Sequence, residues 1–172
     1  MSTSKVKHAT GKSSAKKAKT PSSSKASQDA IALLRSDHQE VSGLFSQFEK
    51  SRTAKRKEEL ATKICTELTV HAQIEEEIFY PAFAAATKDK SLVPEATVEH
   101  QTMKDLIAQI ESSSPDASLY EAKVTVLGEY VKHHVKEEQN EIFPKARKSR
   151  LDLKELGNQL RVRKQELMAK QP

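Results

Sequence analysis

One pattern occurs twice in this chain, as HAQIEEEIFYP at residues 71–81 and HVKEEQNEIFP at residues 134–144. Both copies read H-x3-E-x5-P, with an aromatic residue before the proline. Each has a second marker upstream. DHQEVSGLFSQFE at 37–49 and EHQTMKDLIAQIE at 99–111 share an acid, a His-Gln pair and apolar residues at equivalent places. His38 precedes His71 by 33 residues, and His100 precedes His134 by 34. The chain is therefore an internal duplication. Each half contributes one His from a first segment and a His-x3-Glu pair from a second.

Apolar residues recur three and four apart through both halves, the period of a helix buried along one face. Residues 27–50 predict a first helix with the stripe Ile31, Leu34, Val41, Phe45 and Phe48, and His38 fills the gap in that stripe. Residues 58–80 predict a second, with Leu60, Ile64, Leu68, His71, Glu75 and Ile78 on its seam. Pro81 is expected to end it, because proline lacks an N–H and disfavours helix in the residue before it. Residues 84–93 read as a loop. Pro94 suits the first position of a third helix, with the stripe Ala96, His100, Met103, Ile107 and Ile110. Ser114 and Pro115 suit the N-cap and first position of a fourth. Its stripe is Tyr120, Val124, Leu127, Val131, His134, Glu138 and Ile142, and Pro144 is expected to close it. A last amphipathic segment, 151–168, carries Leu153, Leu156, Leu160 and Leu167 and should pack across the rest.

The predicted fold class is all-α: an antiparallel up-down four-helix bundle with an additional C-terminal helix. The duplication sets helices one and two against three and four about a pseudo-twofold axis. Only Gly43, Gly128 and Gly157 follow the first 28 residues, among abundant Ala, Leu, Lys, Glu and Gln, which favours helix.

The first 28 residues hold seven Lys and no acid, whereas 29–172 hold 22 basic and 24 acidic residues, so the net charge of +5 belongs to the tail. Residues 1–27 read as a disordered Lys/Ser/Ala-rich tail and residues 28–170 as one domain. A sharper reading of the tail is electrostatic contact with nucleic acid, although it has no aromatic residue to stack on bases. The lone Cys65 excludes an intrachain disulfide and fits a reducing compartment. There is no apolar run of about 18 residues, no secretory h-region and no Arg before Arg35, so a cytoplasmic chain without a membrane partner is expected.

Six positions on the predicted seams are not apolar: His38, His71, Glu75, His100, His134 and Glu138. A buried carboxylate must protonate or find a strong donor or a cation. In an i, i+4 pair both side chains lie on one helix face, so His71/Glu75 and His134/Glu138 can serve one centre. Bound metal explains all six together. The set is nitrogen and oxygen without thiolate, which disfavours Cys-rich zinc sites and iron–sulfur clusters. Six ligands suit two ions, with four terminal imidazoles, two bridging carboxylates, an oxo or hydroxo bridge and one exchangeable position. Iron ranks ahead of manganese, and manganese ahead of zinc.

The remaining candidates are assigned lesser roles. His8 lies in the tail and His133 one residue off the stripe. Glu76, Glu77 and Glu137 read as solvated or as supporting groups, and Asp37 and Glu99 as surface residues. Phe45, Phe48, Phe79, Tyr80 and Phe143 read as core that keeps the centre dry, and Cys65 as a small packing residue.

At these residues the chain resembles the hemerythrin-like, HHE cation-binding family, over about residues 28–168. His38, His71-x3-Glu75, Glu99-His100 and His134-x3-Glu138 match its metal-ligand pattern in order and spacing. The resemblance implies a non-haem di-iron centre in a four-helix bundle. Oxygen-carrying members have a His where this chain has Lys104 and an Asp where it has Gln139. The pattern looks closer to members implicated in iron–sulfur repair and nitric oxide chemistry, which commonly carry paired cysteines in a separate N-terminal region; here a Lys-rich tail and one Cys stand instead. The expected function is a di-iron protein that binds, senses or reacts with dioxygen, nitric oxide or peroxide, with or without turnover. The alternatives are iron handling or iron–sulfur repair, and a helical interaction protein whose basic tail binds nucleic acid.

Overall fold

The structure, a computed structural model, describes Met1 and residues 28–171. The predicted tail falls outside the described residues apart from Met1. The described residues form helices α1 (Ala30–Lys50), α2 (Ala54–Ile74), α3 (Tyr80–Thr87), α4 (Leu92–Glu111), α5 (Tyr120–Glu137), α6 (Phe143–Lys148) and α7 (Leu153–Met168), with no strand among them. Two π turns, Glu75–Phe79 and Glu138–Ile142, join α2 to α3 and α5 to α6. Each of those pairs is one continuous helix, so the bundle has four long members. Packing runs α1 on α2, α2 on α4, α4 on α5 and α5 on α1, and α7 lies across α1 and α2.

Helix starts are set by side-chain caps that satisfy first-turn donors. Asp29 Oδ1 accepts from Ala32 N at 2.8 Å, Thr53 Oγ1 from Arg56 N at 3.3 Å, and Asp152 Oδ1 from Glu155 N at 3.0 Å. Asp89 Oδ1 accepts from Leu92 N at 2.9 Å, so α4 begins two residues before Pro94 rather than at it. Pro94 then sits in the first turn, where its missing N–H leaves no intrahelical bond unmade. The expected loop at 84–93 is correspondingly short, because α3 runs to Thr87 and closes on Lys88 in the left-handed region (φ 57°).

The expected start of the fourth helix at Ser114 and Pro115 is not observed. Residues 114–119 make successive turns, with Ala117 N–H donating to Ser114 O and Tyr120 N–H to Ala117 O, both at 2.9 Å. Short polar side chains (Ser113, Ser114, Asp116, Ser118) compete with the helix for backbone partners, and α5 waits until Tyr120.

Neither Pro81 nor Pro144 ends its helix. In an α-helix the proline ring collides with the carbonyl four residues back. Here the turn just before each proline is widened: Tyr80 N–H donates to Glu75 O and Phe143 N–H to Glu138 O, five residues back. The wide turn absorbs the obstruction and lets the helix continue. It also inserts one residue into the face, so Phe79 is buried where the period placed Ile78, which is only partly buried. On α1, Leu44 takes the core position expected for Phe45, which is half-buried against Gly128.

The interior has two apolar cores. One joins α1 (Ile31, Leu34), α3, α6 and α7 around Phe79, Tyr80, Phe83 and Phe143. The other joins α1, α2, α4 and α5 around Leu44, Ile64, Ile107 and Leu127. The described helix α7 packs as predicted, with Leu156, Leu160 and Leu167 buried. It approaches the start of α1 so closely that a Cβ on Gly157 would lie 2.5 Å from Gln28 O and 2.7 Å from Ala30 N. Both are backbone atoms and cannot swing aside. Gly157→Ala should therefore cost about 1–3 kcal/mol and lower Tm by several degrees in a thermal melt. An unchanged Tm would mean that α7 is not seated this tightly.

Candidate metal centre

A single polar layer crosses the bundle between the two cores. His38 on α1, His71 on α2, His100 on α4 and His134 on α5 are all buried. Glu75 and Glu138 occupy the first position of each π turn and are 0% and 1% exposed. The structure thus brings together all six residues singled out from the sequence.

Their nitrogen atoms converge in two pairs. Nε2 of His38 lies 3.0 Å from Nε2 of His71, and Nε2 of His100 lies 3.1 Å from Nε2 of His134. Each carboxylate spans both pairs. Glu75 places Oε1 3.3 Å from His71 Nε2 and Oε2 3.4 Å from His100 Nε2. Glu138 Oε2 lies 3.2 Å from His38 Nε2 and 3.7 Å from His134 Nε2. The pseudo-twofold relates His38 to His100, His71 to His134 and Glu75 to Glu138.

The residues fit a cation. Two imidazole lone pairs cannot face each other at about 3 Å without a proton or an ion between them. Among the described residues Glu75 Oε1 and Glu138 Oε2 are buried without a hydrogen bond, a state a protein rarely tolerates. Possible ligand atoms gather into two groups, one from His38, His71, Glu75 and Glu138, the other from Glu75, His100 and His134, each within 4.8 Å. An all-nitrogen-and-oxygen set of imidazole and carboxylate suits first-row transition ions.

An outer ring of carboxylates orients the imidazoles. Asp37 Oδ2 lies 3.5 Å from His71 Nδ1, Glu76 Oε1 3.0 Å from His100 Nδ1, and Glu99 Oε2 2.7 Å from His134 Nδ1. With the proton held on Nδ1, the Nε2 lone pair points inward. Surface placement, expected for Asp37 and Glu99, is therefore corrected: Asp37 is 8% exposed and Glu99 is half-buried. Adjacent residues on a helix point about 100° apart, so the acid before each His faces the next helix of its own half rather than solvent. Their shared position in both copies of the repeat was the available signal. Cations back two of these acids. Lys164 of α7 pairs with Asp37 at 2.9 Å, and Lys104 with Glu76 at 2.7 Å. Exposed His133 lies 3.4 Å from Glu99 and 3.2 Å from Glu137.

Tyr80, read from sequence as core, is buried but ends inside the polar layer. Its hydroxyl donates to Glu138 Oε1 at 2.9 Å and lies 3.4 Å from Glu75 Oε2 and from His100 Nε2. At the same repeat position, Phe143 has no hydroxyl and stacks on His38 at 5.8 Å. That Tyr/Phe mismatch between otherwise matching copies was legible, but only the π turn shows that the side chain faces inward. Beside the layer is a cavity of about 20 Å³ lined by all four histidines and by Val41, Leu68, Met103, Ile107 and Val131.

Burial alone would lower the His71 pKa, but Glu75 and Asp37 outweigh it and hold it up at about 10. Burial would raise Glu75, and His71 and His100 outweigh it and keep the carboxyl well below its usual range. His134 is likewise held up, against burial, by Glu99 and Glu138. For Tyr80, burial and the two carboxylates act together and push the phenol up, so it remains a donor. The metal-free layer therefore holds a proton on His71 up to about pH 10, and an ion must displace it. Metal affinity should accordingly rise with pH between 6 and 8, about tenfold per unit for each proton released. Calorimetric titration in buffers of different ionisation enthalpy counts those protons; none released near pH 7 would contradict this charge assignment.

The fold and this layer define an all-α, cation-binding helical bundle. The chain belongs to the hemerythrin HHE cation binding domain family, whose model matches residues 29–146. A protein of Nostoc sp. described as a DNA nickase is 31% identical over 124 residues, which are 72% of this chain and 35% of that protein. The chain thus spans about a third of that relative's length. A crystal structure of a hemerythrin HHE cation binding domain-containing protein from Mycobacterium kansasii shares the fold, with a TM-score of 0.72 and 23% identity over 83% of this chain and 88% of that one. Among the described residues no helix is long and apolar enough to cross a membrane.

Proposed function

We propose that this chain holds two iron ions and uses them on a small oxidant: dioxygen, nitric oxide or peroxide. In this reading His38 and His71 would hold one ion and His100 and His134 the other, and Glu75 and Glu138, which reach both pairs, would serve both. The observation that carries it is the cavity of about 20 Å³ against all four imidazoles. It has room for roughly one water-sized guest, and its apolar walls suit a diatomic molecule better than a polar metabolite. When bound, the iron pair supplies electron transfer and an exchangeable coordination position.

The protein's own groups supply the rest. Asp37, Glu76 and Glu99 fix the imidazole tautomers and aim Nε2 inward. Val41, Leu68, Met103, Ile107 and Val131 exclude bulk water from the cavity. Tyr80 Oη keeps its proton and holds Glu138, so it can steady a negative charge developing between the two carboxylates. The test is anaerobic loading with ferrous iron, metal analysis, and visible spectra after adding air, nitric oxide or hydrogen peroxide separately. A reversible change without turnover supports binding or sensing. Repeated consumption of oxidant with an electron donor supports an oxidoreductase. Transfer of iron to an apo-acceptor supports iron handling or iron–sulfur repair. No spectral response to any oxidant would defeat the oxidant reading.

A second reading draws on the relative described as a DNA nickase and on the seven Lys of the first 28 residues. It expects salt-sensitive DNA binding that is lost on deleting residues 1–27. Incubation with supercoiled plasmid, with and without loaded metal, tests for nicking directly. Intact plasmid and binding unchanged by the deletion would remove this reading.

A further inference from the structure

The two halves of the centre differ in their supports. Three of the four imidazoles have a carboxylate at Nδ1, namely His71, His100 and His134. His38 Nδ1 is buried and has no hydrogen-bond partner among the described residues. The duplication shows what differs. His100 is held by Glu76, the residue after Glu75; the residue after Glu138 is Gln139, which is half-buried and makes no hydrogen bond to His38. Lys104, four residues after His100, backs Glu76 with both oxygens at 2.7 Å, and the residue four after His38 is Ser42. An ion-paired acid thus stands behind His100, and neutral groups stand at the matching positions beside His38.

His38 also faces the opening. A groove of about 500 Å³ between α1 and α5 is lined by His38, Ser42 and Val131, with exposed Glu49, Glu129 and Lys132 along it. The other approaches are less favourable to a cation. The Lys104 ammonium stands outside His100, and α7 covers the His71 side with Lys164 against Asp37.

We infer that the two metal positions are unequal, and that the His38 position is where a divalent cation enters and leaves, through the α1–α5 groove. This rests on the reading that the six residues hold two ions. An imidazole whose Nδ1 donates to a carboxylate is oriented and is a stronger donor; losing such a partner typically weakens metal binding about 10- to 100-fold. His38 has that deficit built in. Two acids, Glu49 and Glu129, against one base, Lys132, leave the groove lining net acidic and attractive to a cation, whereas on the opposite side Lys104 and Glu76 cancel. Gln139 and Ser42 are positioning residues in this account, acting through His38.

The test uses the full chain loaded anaerobically with ferrous iron, whose metal content is measured first. Excess ferrous chelator is then added and release is followed over time. Two phases of equal amplitude are expected, one ion leaving about tenfold or more faster than the other. Gln139→Glu, which restores the acid of the other half, should slow the fast phase alone. Ser42→Lys combined with Gln139→Glu, which backs the new acid as Lys104 backs Glu76, should slow it further and provides a second variant if the first misfolds. Glu76→Gln should speed the slow phase toward the fast one. Release of both ions at one rate would overturn the inference, as would a fast phase unmoved by Gln139→Glu with and without Ser42→Lys. Failure to hold two ions before chelator is added would instead defeat the underlying reading, and the inference with it.

Discussion

Replacing Glu75 and Glu138 together by Gln should take iron content from about two per chain to near zero while leaving the helical circular dichroism intact. Each carboxylate reaches both imidazole pairs, Glu75 touching His71 and His100, and Glu138 touching His38 and His134. The amide keeps the shape of each side chain but removes the charge and half the acceptor capacity. Four neutral imidazoles without an anion are a poor match for two multivalent cations in a dry layer. The same exchange has a second consequence. Glu75 and Glu138 are fully buried and pair with the protonated imidazoles of the metal-free layer, so removing their charge leaves His71 and His134 without those partners. The double variant should therefore melt below the metal-free wild type near neutral pH, and it gains nothing from added iron. Two irons retained by the variant would show that the layer is not the site.

Removing metal from the wild type should lower Tm by roughly 8–16 °C, since a ligand at about 1,000 times its Kd contributes about 4 kcal/mol and each kcal/mol moves a chain of this size by about 2–4 °C. The physical cause is the layer itself. Without a cation, Glu75 Oε1, Glu138 Oε2 and His38 Nδ1 are buried with no hydrogen-bond partner among the described residues. Protons on His71 and His134 offset part of that cost, so the metal-free bundle should stay folded near neutral pH. The sign follows from the raised imidazole pKa. The stabilisation is complete below the unfolded value of about 6.5 and is lost as pH climbs toward about 10. The gap between metal-loaded and metal-free Tm should thus widen from pH 7 to pH 9. Differential scanning calorimetry with and without chelator measures it, and coincident melts would count against a buried centre.

Much of this was written in the linear chain. The repeat of His and His-x3-Glu, four residues apart on one helix face, marks the six side chains that meet in the polar layer. The stripes on α4 and α5 are buried position by position as the 3.6-residue period predicts, from Ala96 to Ile110 and from Tyr120 to Ile142. Caps were less legible. Asp89, not Pro94, starts α4, because a side chain accepting two backbone donors outweighs a preference for proline at one position.

The sequence by itself determined the helices, their buried faces and the chemistry of the layer, because periodicity and residue type are properties of a single strand of chain. Only the tertiary structure decided how that layer is wired. A π turn inserts one residue where a uniform period assumes none, which carries α2 and α5 past Pro81 and Pro144 and turns Tyr80 into the centre. Which imidazole Asp37, Glu76 or Glu99 reaches depends on the neighbouring helix rather than on its own, and Lys164 closes the His71 side only because α7 folds back across α1 and α2. Contacts between elements are set by packing in three dimensions, and a one-dimensional pattern carries no record of them.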